Sequence, residues 1–277
     1  MKTFTNNYLL FLFFIFFSFN LLAQDFQGKA YYYSKSTMEL GRWGARLSEA
    51  QKKQVAARLK NRLEKTYVLT FDKAASTFKE DEKLDVDVLS GATDTWGKNF
   101  SPGEQYKNIK TNELVQKQEF YGKNFLVKDK LQSIEWKMGA ETKQIGGYTC
   151  YKATANIPTA DLTWYDFSWS ELRAANNKEN SEEVNMTEVT AWYTLNIPVS
   201  SGPSEYWGLP GLILEVNVGK TTMLCFKVVM NPEEKSTIKA ATKGKVVTKK
   251  EYKEIITGKM QEMRNNRGRQ RPGRTGR

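Results

Sequence analysis

The sequence predicts a mainly β protein with flanking helices (α+β), built on a curved antiparallel sheet, half-barrel-like, with one amphipathic helix near each end. Three observations predict it. Runs in which apolar and polar residues alternate recur along the chain, the period of a half-buried strand. Glycine, proline and aspartate separate successive runs, as hairpin turns require. Helical periodicity occurs in only two stretches, so helices do not alternate with strands and a parallel α/β fold is disfavoured.

Residues 1–23 read as an export signal. Lys2 gives the positive start, residues 9–22 are apolar apart from Ser18 and Asn20, and Ala23 is the small residue before a cut at Gln24. The apolar run is short of the roughly 20 residues of a spanning helix. The expected organisation is a signal peptide over 1–23, a single β-rich domain over 24–263 and a disordered Arg/Gly-rich tail over 264–277. The expected location is the periplasm or outside the cell.

Residues 27–34 are aromatic and β-prone, a first strand. Ser48 and Gln51 have the spacing of a capping box, and Val55, Leu59 and Leu63 then share one helical face. From Thr66 the period is two, and the turn at Asp72-Lys73 makes a hairpin with residues 76–79. Residues 80–110 read as a long polar loop carrying Trp96 and Phe100. Residues 115–121 and 124–127 flank Gly122 as a second hairpin. Ile134, Trp136 and Met138 alternate with polar residues as a strand, and residues 148–156 form the next. Residues 158–188 interrupt the pattern with Trp164, Tyr165, Phe167 and Trp169, an insertion that folds back on the sheet or forms a lid. Strands follow at 189–197, 212–218 and 222–230. A closing helix spans 249–263, with Thr248 and Glu251 at its start.

The 277 residues contain 42 Lys+Arg, 31 Asp+Glu and no histidine, a net charge of +11. Without histidine there is no Ser-His-Asp or Cys-His machinery, no HExxH zinc helix and no His-ligated copper or iron. No metal site and no cofactor are expected. Much of the basicity lies at the end of the chain, in Arg264, Arg267, Arg269, Arg271, Arg274 and Arg277, so the body is close to neutral. Cys150 and Cys225 are the only cysteines, and in an oxidising compartment they are expected to pair. Two buried free thiols on strands that do not face each other are the alternative.

The strongest local signal is residues 191–216. Pro198 ends a strand by removing a donor. Ser200, Ser201, Gly202 and Pro203 form an irregular loop. In Gly208-Leu209-Pro210-Gly211, proline suits the second position of a type II turn and Gly211 the third, with positive φ. The segment is thus a rigid device that launches the apolar strand beginning at Leu212.

Gly208 to Ile213 spells GLPGLI, and the chain resembles the GLPGLI family of exported Bacteroidetes proteins. Glu64-Lys65-Thr66-Tyr67 with Leu69-Thr70-Phe71, the block 145–153 and Trp192-Tyr193-Thr194 before Ile197-Pro198 extend the likeness over nearly all the mature chain. The resemblance implies an uncharacterised activity and carries over no catalytic residue.

Three functions of different classes follow. A curved sheet could cradle a hydrophobic ligand, with Trp136, Met138 and Trp192 lining the cavity, or these residues could fill a packed core. The arginine tail could dock anionic surfaces or an envelope partner, or merely solubilise the end. Nucleic acid would attract the same tail, but export makes it a poor partner. A hydrolase would need carboxylates such as Asp161, Asp166 and Glu171, or a Ser/Lys pair using Ser200 or Ser201. The favoured reading is a non-catalytic binding protein for a hydrophobic ligand or an envelope partner, without a membrane span once the signal is removed.

Overall fold

The computed structural model describes residues 26–37, 45–81, 101–169, 172–173 and 184–269. Twelve strands form one sheet: β1 Gly28–Ser36, β2 Glu64–Phe71, β3 Ala75–Glu80, β4 Gln105–Asn108, β5 Glu113–Phe120, β6 Lys123–Lys130, β7 Lys137–Ile145, β8 Tyr148–Pro158, β9 Met186–Thr194, β10 Leu212–Val218, β11 Thr221–Met230 and β12 Lys245–Val247. Their order is β12-β6-β5-β4-β3-β2-β1-β11-β10-β9-β8-β7. Every pairing is antiparallel except β12 with β6. Helix α1 spans Glu49–Leu63, the single turn α2 Thr159–Leu162 and α3 Lys249–Arg269. The mainly β, antiparallel-rich architecture is the one expected.

The sheet has to curl. β6 and β7 are ten steps apart in the order, about 48 Å across a flat sheet at about 4.8 Å per step. Only residues 131–136 join them, a linker that reaches about 25 Å at full stretch. The two ends of the sheet must therefore approach each other, so the sheet is open but strongly curved. Register shifts at Tyr31/Tyr32 and at Ile213/Glu215 mark bulges in the central strands, the usual device for bending a sheet.

Local chemistry sets the elements. Ser48 Oγ accepts from Gln51 N at 3.3 Å while Gln51 Oε1 accepts from Ser48 N at 2.9 Å, the expected capping box. Asp72 Oδ1 accepts from Ala74 N and Ala75 N, both at 2.7 Å, and closes the β2–β3 turn. Thr248 and Glu251 cap α3 reciprocally, at 3.2 and 2.7 Å. Three packed clusters result. The first joins Tyr32, Leu69, Phe71 and Phe78 to Ile197, Val199, Leu212 and Leu214. The second clamps Tyr252, Ile256 and Met260 of α3 onto Phe125 and Val127, with Trp164 and Phe167 alongside. The third sets Ala153, Ala191, Ile213 and Val216 against Tyr206 and Leu209.

Several expectations change. β4 lies inside the stretch read as a loop, because ladders to β3 and β5 on both sides outweigh its polar composition. The strand expected around Ile134 and Trp136 begins instead at Lys137. β7 is an exposed edge, so it has no buried face to impose alternation. Helix α3 runs through Arg269, so Arg264, Arg267 and Arg269 are helical and not tail. The aromatic insertion folds back: Trp164 and Phe167 are buried against α3. Residues 1–23, Trp96, Phe100, Glu171, Arg271, Arg274 and Arg277 lie outside the described residues. No helix among the described residues is long and apolar enough to cross a membrane.

Candidate functional site

Residues 195–211, between β9 and β10, wind back on themselves before β10 starts. Val199 N donates to Ile197 O and Ser201 N to Val199 O, both at 2.8 Å, two successive tight turns. Leu212 N then closes the loop on Ile197 O at 2.9 Å, and Ile213 N on Ser201 O at 3.0 Å. The expected type II turn is not made. Gly211 is not among the positive-φ residues, and the left-handed glycine is Gly208 at φ +97°. Gly211 is required for a different reason: a Cβ there would sit 2.0 Å from Thr194 O. Two backbones approach where no side chain can stand. Gly202 is similarly confined: a Cβ there would sit 2.8 Å from Ile213 Cβ.

A lysine holds this loop. Lys107 lies on β4, is 2% exposed, and donates from Nζ to the carbonyls of Gly202 at 2.7 Å, Ser204 at 2.5 Å and Tyr206 at 3.2 Å. All three ammonium protons are thereby used. No carboxylate pairs with it among the described residues. Burial pulls its pKa down to about 7, with Glu205 opposing the shift. Ser204 adopts φ +49°, a strained conformation stabilised by the carbonyl contact that it permits.

Glu205 ties the same loop to the far side of the molecule. Its Oε1 accepts from Trp164 Nε1 at 2.7 Å, and its Oε2 pairs with Lys249 Nζ at the start of α3. Lys249 also lies over the Trp164 ring at 5.5 Å. Tyr165 and Tyr206 crowd this carboxylate. Desolvation raises both phenols, Tyr165 to about 12. A tryptophan pair completes the anchoring: Trp136 Nε1 donates to Trp207 O at 2.8 Å and Trp207 Nε1 to Gln132 O at 2.7 Å.

One recess adjoins the loop, lined by Asp72, Ser76, Lys107, Ser200 and Ser201, with room for about 10 Å³ of solvent. That is the space of a single water. The hydroxyl of Ser201 is buried there without a partner. Ser201 and Lys107 thus line one recess, with Nζ donating to three backbone carbonyls. Gln105 Nε2 donates to Gln116 Oε1 at 2.8 Å, which leaves Gln105 Oε1 and Gln116 Nε2 unpaired in the adjoining interior.

The other expected sites separate. Trp136 packs against the third cluster and Trp192 against the first, while Met138 is 63% exposed, so the three line no common cavity. Lys143 Nζ lies 4.3 Å over the Trp192 ring and pairs with Glu215 at 2.7 Å. Cys150 and Cys225 are buried free thiols, which corrects the expected disulfide. Each donates to a nearby backbone carbonyl, Tyr148 O and Lys227 O, and burial raises their pKa values to about 11 and about 12. Asp161 accepts from Gln132 and Asp166 from the Phe167 amide. Arg264 stacks over Trp169 at 5.0 Å instead of extending outward. Among the described residues no three potential ligands gather for a metal.

Sequence reasoning missed Lys107, Glu205, Lys249 and Trp207. One signal was available: Lys107 and Gln105 are two apart, the spacing that puts both on one face if β4 is recognised as a strand.

Residues 136–215, from Trp136 through the loop into β10, match the model of a family described as a protein of unknown function (Porph_ging). No curated protein matches the chain. Among solved structures, "Structure of PNGF-II in C2 space group" is 14% identical with a TM-score of 0.49, covering 84% of this chain and 33% of that one. "Structure of PNGF-II in P21 space group" is also 14% identical, with a TM-score of 0.47 and the same coverage. The chain spans about a third of the length of these structures.

Proposed function

We propose that this is a GLPGLI-type exported protein of the envelope that acts without catalysis, by binding a partner at its surface. The observation that carries this reading is the packing around the signature loop. The loop of residues 195–211 contributes Ile197 and Val199 to one cluster and Tyr206 and Leu209 to another, and the recess beside it holds about 10 Å³. A carrier of hydrophobic ligands needs a pocket of several hundred Å³. Lys107 and Glu205 spend their polar capacity on holding the fold, as structural groups do. Binding therefore belongs to exposed faces. The test is capture from an envelope extract with the full chain as bait, alongside organic extraction of the purified protein and mass spectrometry. The proposal expects specific capture of an envelope component, protein or membrane, and no lipid held one-to-one inside the washed protein. Stoichiometric lipid in the extract, or capture no better than an unrelated basic protein, refutes it.

A further inference from the structure

Where the sheet is central, one of its faces exposes a group of aromatic and aliphatic side chains among charged ones. On β1, Tyr31 and Tyr33 alternate onto one side. Across the ladder Leu224 stands opposite Tyr33 and Lys227 opposite Tyr31, and the bulge residue Phe226 lies between them. Tyr33 and Leu224 are each 38% exposed and Phe226 is 53% exposed. The Phe226 and Tyr31 rings are 6.2 Å apart, and Lys227 Nζ lies 5.3 Å from the Tyr31 ring.

The surround is basic. Lys29 shares the face with Tyr31, and Lys79 stands across from Val68, itself across from Tyr31. No carboxylate pairs with Lys29, Lys79 or Lys227 among the described residues. Two acids share the face, each paired with a lysine: Glu64, which also accepts from the Tyr33 hydroxyl, with Lys35 at 3.4 Å, and Glu215, across from Leu224, with Lys143 at 2.7 Å, so Lys29, Lys79 and Lys227 leave the face net basic. β1 and β11 are the seventh and eighth strands of twelve, so this is not an edge open to strand addition.

We propose that this face, centred on Tyr33, Leu224 and Phe226 and rimmed by Lys29, Lys79 and Lys227, docks on an anionic lipid surface. The assignment deepens the surface-binding reading and rests on it. Phenylalanine and leucine enter the headgroup boundary, tyrosine rings sit at headgroup level, and lysine stems extend along apolar surface while their ammonium groups reach phosphate. A bilayer presents acyl carbon and negative charge together, which matches an apolar centre inside a basic rim. An acidic peptide matches the rim alone.

The full chain is sedimented with vesicles of phosphatidylcholine, and of phosphatidylcholine with phosphatidylglycerol, at low and at physiological salt. The parent partitions onto the anionic vesicles at least about tenfold better. The double variant Leu224→Ser/Phe226→Ser loses at least about tenfold of that partition while its circular dichroism is unchanged. Lys227→Glu loses several-fold at low salt and less at high salt. A chain ending at residue 269 binds as the parent does. No binding to anionic vesicles, parent-like binding by the double variant, or loss of binding on truncation overturns the assignment. Capture of an acidic protein through these residues without vesicle binding overturns the lipid assignment and leaves the surface-binding reading standing.

Discussion

Replacing Lys107 by methionine removes the ammonium group and keeps most of the side-chain volume. At neutral pH two effects compete. Burial lowers the lysine pKa from 10.5 to about 7, and at about 1.4 kcal/mol per unit the protonated lysine burdens the fold by about 5 kcal/mol. The methionine variant escapes that burden. It leaves the carbonyls of Gly202, Ser204 and Tyr206 without their donor, at about 1–3 kcal/mol each. The terms nearly cancel near pH 7, so the pH dependence is decisive. In the parent, folded and unfolded lysine are both protonated well below pH 7, and the burden is complete. Between about pH 7 and about pH 10 the unfolded state still holds the proton and the folded state has released it. Stability from this group therefore rises with pH, by up to about 1.4 kcal/mol per unit. The assay is urea unfolding of parent and Lys107→Met across that range. The predicted difference, parent minus variant, grows with pH by at least about 2 kcal/mol over the window. Parallel profiles would refute the downward shift that burial imposes on Lys107.

The other predictions rest on separate contacts. Gly211→Ala should cost at least about 3 kcal/mol, read as lost soluble yield or a large fall in Tm, because its Cβ would meet Thr194 O at 2.0 Å. Gly208→Ala, which adds strain at φ +97° but only a 3.6 Å contact, should cost about 1 kcal/mol. Alkylation without reductant should label neither Cys150 nor Cys225 quickly in the native protein and both after unfolding. A single species resistant to labelling in denaturant would restore the disulfide. Glu205→Gln removes the charge that pairs with Lys249 while keeping an acceptor for Trp164, and should lower stability by about 1–3 kcal/mol in thermal unfolding. An unchanged Tm would show that the Glu205 contact does not hold the loop to α3.

Legibility followed the physics of each segment. β2 and β3 could be read because an alternating run meets an aspartate turn. Helices α1 and α3 were legible because their first turns carry reciprocal caps. β10 was found because proline and glycine precede an apolar run. β4 was hidden, since Gln105-Tyr106-Lys107-Asn108 is polar and its identity as a strand comes from neighbours distant in sequence. With β4 hidden, Lys107 could not be seen, nor the partnership with Gly202, which is 95 positions away. The signature segment was recognised but its glycines were assigned by turn rules. The structure places positive φ at Gly208 and uses Gly211 for contact with Thr194, a constraint set by tertiary packing. The cysteines were paired by compartment logic, which cannot tell that Cys150 on β8 and Cys225 on β11 sit three strands apart in the order. Trp136 and Trp192 belong to different clusters for a similar reason: alternation assigns a side but not a neighbour.

Amide hydrogen exchange across residues 197–213 of the full-length protein tests most directly whether the signature segment is a fixed plug inside the curled sheet. The account predicts that Val199 and Ser201, whose amides donate within the loop at 2.8 Å, exchange as slowly as the amides of β10, Leu212 and Ile213 included. Exchange of Val199 and Ser201 as fast as an exposed loop, while β10 stays protected, would contradict it.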